Sequence, residues 1–139
     1  MSDCVLRGRV VLADSVIDDG VIEVRDGAIA RVAPAPQYGR GLPAPTDSTF
    51  LPGLVDVHCH GGGGESFPNA ATQEDALVAV MEHRRHGTTS LVASCVTASA
   101  DVLRARAATL AGLADRGEIA GIHFEGPFVS EARCGAQDP

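Results

Sequence analysis

Two histidines, His58 and His60, stand one residue apart at the end of the apolar run LPGLVDVHCH, and four glycines follow them directly. On a strand, residues i and i+2 leave the same face, so both imidazoles would point one way. The glycines end the strand and let backbone come close to a bound group, of which a metal ion is one candidate. A carboxylate, Glu125, closes a second apolar run, IAGIHFEG. Two imidazoles and a carboxylate suit zinc, or iron or manganese. An ion on such a set polarises a carbonyl and lowers the pKa of bound water to about 7, which is chemistry fit for amide hydrolysis. An H-x-H pair alone also reads as two hydrogen-bonded core histidines, and the glycine run as a flexible loop or a phosphate cradle. It is no P-loop, because no Gly-Lys-Ser/Thr follows, and the spacing of the dinucleotide fingerprint is absent.

Other reactive types are read more plainly. His83 and His86, in MEHRRHG, fall in the last turn of an expected helix, where a cation complements the dipole, and are read as surface residues. Cys59 alternates away from the histidine face and is read as packing; Cys95, in mid-strand, is read as a core thiol. Cys134 lies in a polar loop, read as a plain loop thiol. His123 shares the face of Glu125 two residues on, and stands open between a supporting group and a buried polar filler. The four cysteines form no C-x-x-C pair, and MSDCVLRGRVVLADS lacks the h-region and cleavage site of a signal peptide, so the thiols are read as reduced and cytoplasmic. No apolar stretch approaches the roughly 20 residues of a membrane span.

These side chains need elements to hold them. The 139 residues suffice for a domain with a core. Eleven basic against 18 acidic residues give a net charge of −7, which argues against a nonspecific nucleic-acid or membrane-surface binder. Residues 4 to 33 read as short Val- and Ile-rich strands, punctuated at Asp19-Gly20 and at Asp26-Gly27, the latter a two-residue hairpin signal. Residues 34 to 49 carry four prolines and read as a connector. From Phe50 the pattern changes. A buried strand is expected over 54 to 60. A helix capped by Thr72 follows over about 73 to 86, with Ala76, Leu77, Val80 and Met81 inward and Gly87 as its stop. A strand over 88 to 96, a helix from Ser99 to about 116 and a strand over 119 to 126 complete a β-α-β-α-β order. Near-continuous apolar strands alternating with helices predict a parallel sheet covered by helices, with any site at the strands' carboxyl ends.

The motif Pro52-Gly53-x-x-Asp56-x-His58-x-His60-Gly61 resembles the amidohydrolase superfamily. His123-x-Glu125-Gly126-Pro127-Phe128, with Gly135-Ala136 beyond it, narrows the resemblance to the N-acetylglucosamine-6-phosphate deacetylases within that superfamily. The resemblance implies an α/β fold: an incomplete (β/α)8 barrel, its first three strands in residues 51–139, preceded in residues 1–50 by part of a small β-sandwich and a connector. A full barrel takes about 250 residues, so the chain is expected to be an N-terminal fragment of a longer enzyme. The resemblance further implies one or two divalent ions, zinc first and iron or manganese next, with Glu125 as a ligand and His58 and His60 sharing the first ion or holding a second. It puts Ala136 and Gln137 against the substrate, with Gln137 standing where many relatives carry histidine. It assigns the catalytic aspartate to a strand beyond residue 139, so no catalytic residue is expected in this chain. The implied reaction is metal-dependent hydrolysis of a phosphorylated amino sugar's acetamide by the full-length parent, a cytoplasmic homodimer with no nucleic-acid or membrane partner. Another amidohydrolase reaction, on a cyclic amide or by deamination, is the near alternative. A short metal- or partner-binding protein without catalysis is the other.

Overall fold

The computed structural model describes residues 3–137. Asp138 and Pro139, which end the second motif, lie outside the described residues, as do the first two. The chain divides into two compact units, residues 1–52 and 53–139.

The first unit is built on hairpins. Strands β1 (Cys4–Val11), β2 (Val16–Arg25) and β3 (Ala28–Pro34) form an antiparallel meander, and the short β4 (Thr49–Phe50) adds parallel to β1. Asp26-Gly27 makes the β2–β3 turn with positive φ at both residues, 50° and 77°, as a tight two-residue turn requires. Asp19-Gly20 makes no turn: Gly20 lies inside β2, paired with Gly8 and Pro34. The β1–β2 reversal comes earlier, at Leu12 and Ser15, closed by the Leu12 N–H on the Ser15 carbonyl at 2.8 Å. The expected connector holds one turn of helix, α1 (Ala35–Tyr38), whose Ala35 is buried.

The second unit holds the expected parallel sheet, with β5 (Leu54–Cys59), then a two-stranded hairpin of β6 (Gly61–Gly62) and β7 (Glu65–Ser66), then α2 (Gln73–Arg85), β8 (Thr88–Cys95), α3 (Ala100–Asp115) and β9 (Gly121–Phe124). The sheet order is β5-β8-β9, all parallel, each crossover a helix. One single-turn helix, Glu131–Arg133, follows. Helix α2 starts where the sequence put it. Thr72 accepts from the Asp75 N–H, and the Asp75 carboxylate accepts from the Thr72 N–H at 2.9 Å, a reciprocal capping box. Ser99 caps α3 through the Val102 N–H.

Alternation in β8 decides the two faces of the sheet. Leu91, Ala93 and Cys95 pack under the helices with Phe67, Ala76, Ala79, Val80, Leu110 and Leu113. Ser94, fully buried, points the other way. Two expectations fail here. In helix α2 the expected Ala76 and Val80 are buried and Leu77 packs against the core, but Met81 is exposed and Ala79 takes the inward place instead. Strand β5 is not a buried strand: it is an edge of the sheet, and Val55 and Val57 stay 67% and 68% exposed.

Candidate metal centre

Strand β5 ends at Cys59 with His58 in it and His60 just past it, and Glu125 follows β9, with the middle strand β8 between them. Glu125 is held at the rim by its N–H on the Cys95 carbonyl at 2.9 Å. The three side chains converge over the end of β8. His58 Nε2 lies 3.0 Å from His60 Nε2 and 3.3 Å from Glu125 Oε2, and His60 Nε2 lies 3.1 Å from the same oxygen. The side chains of His58, His60 and Glu125 remain 49%, 41% and 38% exposed. An open rim of three ligands matches a catalytic metal site rather than a closed structural one.

The donor chemistry tests whether a cation fits. His60 Nδ1 lies 3.1 Å from the Ser94 carbonyl. A carbonyl only accepts, so Nδ1 carries the proton and a neutral His60 turns a bare Nε2 lone pair to the centre. That lone pair faces a carboxylate oxygen, another acceptor. A single proton on His58 Nε2 serves one of these neighbours and leaves the other facing a lone pair. With both imidazoles neutral, the three converging acceptors share too few protons, a deficit that a divalent cation satisfies, and the orienting hydrogen bond on His60 is the usual second contact of a metal-bound imidazole.

Buried Ser94 supports the rim from below. Its carbonyl orients His60, and its hydroxyl meets His123 Nδ1 at 3.1 Å. The His123 ring stands edge-on to His58 with centroids 5.0 Å apart, so His123 backs His58 and adds no ligand to the cluster. A serine inside the apolar run TTSLVASCV was the one sequence signal of this support.

A cleft of about 490 Å³ opens from His60 and Glu125 toward Val96, Arg133, Ala136 and Gln137. Gln137 is pinned: its Oε1 accepts from the Thr97 N–H at 2.8 Å and from the Thr97 hydroxyl at 2.6 Å. That leaves the Gln137 NH2 as its donating end. Cys134 lines the same cleft, its thiol donating to the Glu131 carbonyl at 3.2 Å. Cys95 is buried in the core, and burial pushes its thiol pKa up.

The reading of His83 as a surface residue is wrong. It sits one turn beyond Ala79 and Val80 on the inward face of α2 and turns its Nε2 to the Gly61 carbonyl at 3.0 Å and to Cys59 Sγ at 3.1 Å. His86, one turn further, is exposed as expected, with Nδ1 on the Glu82 carbonyl. The glycine run is no loose loop. It is the β6–β7 hairpin laid against α2, and a Cβ on Gly61 (φ 146°) would lie 2.3 Å from the Glu65 carbonyl oxygen.

A parallel sheet with histidines on its first strand end and a carboxylate on its third gathers a donor set that could hold a divalent metal. The amidohydrolase family matches residues 49–138, and the chain belongs to that family. It is 37% identical, over 92% of its length, to N-acetylglucosamine-6-phosphate deacetylase of Bacillus subtilis (strain 168), of which it covers 35%. It is 31% identical, over 94%, to N-acetylgalactosamine-6-phosphate deacetylase of Shewanella sp. (strain ANA-3), again covering 35% of that protein. Among solved structures, all of this chain aligns with 36% of an aspartate-to-alanine variant of the Mycobacterium smegmatis N-acetyl-D-glucosamine-6-phosphate deacetylase in complex with N-acetyl-D-glucosamine-6-phosphate, at a TM-score of 0.86 and 35% identity. The chain thus spans about a third of the length of the relatives it matches.

Proposed function

We propose that this chain carries part of the metal centre of an enzyme that hydrolyses the acetamide of N-acetylglucosamine 6-phosphate, yielding glucosamine 6-phosphate and acetate. The observation that carries this reading is the convergence of the His58, His60 and Glu125 acceptor atoms within 3.3 Å of one another on an open rim. His58, His60 and Glu125 would hold the ion, zinc before iron or manganese, because two imidazoles and one carboxylate with an open side form the zinc hydrolase pattern. When bound, a divalent ion polarises the amide carbonyl and activates water.

The chain's own residues do the rest of the arranging. The Ser94 carbonyl orients His60 so that a neutral ring turns Nε2 to the centre, and Glu125 contributes the negative charge. Ala136 and Gln137 line the cleft that would take the sugar, and the Gln137 NH2, with its oxygen held by Thr97, donates to a sugar or phosphate oxygen. Water adds to the acyl carbon, the C–N bond breaks, and the amine leaves with a proton. The resemblance assigns that proton transfer to an aspartate outside this chain. The finer architecture belongs to the same reading: residues 51–139 as the first three strands of a (β/α)8 barrel, and residues 1–50 as part of a small β-sandwich with its connector. A cytoplasmic homodimer is carried over from the resemblance alone. Net charge −7 supports a small-molecule substrate over nucleic acid or an anionic membrane.

The likeness to an N-acetylgalactosamine-6-phosphate deacetylase at 31% identity favours one second reading, the epimeric sugar. Acetate release by the full-length protein, from N-acetylglucosamine 6-phosphate, from N-acetylgalactosamine 6-phosphate and beside a cyclic amide, decides among these. Chelator-sensitive release from the first substrate is expected. Preference for the second moves the assignment to the epimer, and turnover of the cyclic amide without acetate release overturns the proposal.

A further inference from the structure

We propose that His83 is a positioning residue for the end of β5 that carries His58 and His60, clamping it to helix α2 through the Gly61 carbonyl and the Cys59 sulfur. The inference rests on the metal-centre reading above. It starts from the helix: α2 buries Ala76, Ala79 and Val80, and His83 is the next residue on that face. Its Nε2 meets the Gly61 carbonyl at 3.0 Å. The carbonyl only accepts, so Nε2 carries the proton and donates. The Cys59 sulfur, 3.1 Å from the same nitrogen, is a second acceptor, and its own thiol donates to the Gly61 carbonyl at 3.7 Å.

Cys59 precedes His60 and Gly61 follows it, so the clamp grips both backbone neighbours of one candidate ligand. The His60 carbonyl is tied as well, accepting from the Phe67 N–H at 2.9 Å. With Nδ1 on Ser94, His60 is fixed before, behind and at its ring. Metal sites tolerate only about 0.5 Å of ligand displacement, so such fixing bears on affinity. The fit is close: a Cβ on Gly62 would come within 3.0 Å of His83 Nε2, and one on Gly63 within 3.2 Å of the Glu82 Cβ.

Asp56, Cys59 and His83 also bring ligand-type atoms within 4.8 Å of one another. Two of them are committed elsewhere. The His83 Nε2 N–H donates to the Gly61 carbonyl, and Asp56 Oδ1 accepts from the His58 N–H at 3.1 Å. The clamp is therefore the better reading of the cluster.

Cobalt(II) titration of the full-length protein, followed by its visible absorption, tests it with four variants. Glu125→Gln is the control for the centre itself. His83→Phe and His83→Met remove the donor while filling the space, and His83→Gln keeps an amide N–H able to reach Gly61. Loss of affinity by about tenfold or more is expected in His83→Phe and His83→Met, the scale on which supporting contacts act. An altered cobalt band is expected with it, and His83→Gln should bind close to wild type. If one apolar variant does not fold, the other carries the comparison. Wild-type affinity in the apolar variants overturns the proposal, as does equal weakness in His83→Gln. A thiolate-to-cobalt band lost with His83 also overturns it, by making His83 a ligand. If the wild type binds no cobalt, or Glu125→Gln binds it equally well, the metal-centre reading itself fails, and the clamp with it.

Discussion

A hydrogen bond well below the rim decides the chemistry of His60. Because His60 Nδ1 donates to the Ser94 carbonyl, the neutral imidazole presents Nε2 to Glu125 as a lone pair, and two such acceptors 3.1 Å apart suit a cation. Glu125 supplies the charge of this set. Glu125→Gln keeps the shape and removes the charge, so metal affinity should fall by more than the about 10–100-fold that losing a supporting contact costs, and turnover with it. Metal content of the dialysed protein is the check, and full occupancy with normal turnover would contradict the role. His58 is the most exposed of the three, so His58→Asn should cost less than Glu125→Gln in the same measurement. At this scale the sequence was readable wherever geometry is local. The i, i+2 spacing put both histidines on one side, and strand-end position put Glu125 on the same rim. Ser94 and His83 were not readable, because their roles come from neighbours 34 and 22 residues away. The helix-end rule assigned His83 to solvent, but burial of α2 at Ala79 and Val80 turned it inward.

Elements were legible where a local interaction fixes an end. Asp26-Gly27 turned as its composition requires, and Thr72 with Asp75 closed a capping box. The turn after β1 was missed because Leu-Ala-Asp-Ser carries neither glycine nor proline, while Gly20, taken for punctuation, lies inside a strand opposite Gly8. The capping box gives a stability prediction. Thr72→Ala removes the side chain that accepts from the Asp75 N–H and should cost about 1 kcal/mol. The Thr72 backbone N–H, and then its side chain, hold the Asp75 carboxyl below its ordinary range. A depressed carboxylate stabilises the fold above the unfolded pKa, and that contribution is lost as pH falls through the lower folded value. Denaturation at neutral pH and near pH 3 should show α2 weakening in acid, and Asp75→Asn should flatten that dependence. An unchanged acid sensitivity in Asp75→Asn would contradict the assignment.

At the scale of the whole chain, the α/β class was legible from strands and helices alternating after Phe50, since parallel strands need a long crossover, most often a helix. Exposure was not. A near-continuous apolar strand reads as covered on both faces, yet β5 and β9 are the two edges of the sheet, and Leu54, Val55, Val57 and Phe124 are exposed there. Open parallel edges beside apolar side chains invite association. The 139-residue chain purified by itself should therefore self-associate in light scattering, and should release no acetate with zinc supplied, because the resemblance assigns the proton-transferring aspartate elsewhere in the longer enzyme. A monodisperse monomer with turnover near 1 per second or more, ordinary for enzymes, would contradict this. The central claim is that His58, His60 and Glu125 hold a divalent metal, and the most direct test is anomalous diffraction at the zinc edge from crystals of the full-length protein grown with zinc. The account requires a peak about 2.0–2.2 Å from an imidazole nitrogen of His58 or His60 and from a Glu125 carboxylate oxygen. A peak at Cys59 and His83 instead, or none on this rim, would contradict it.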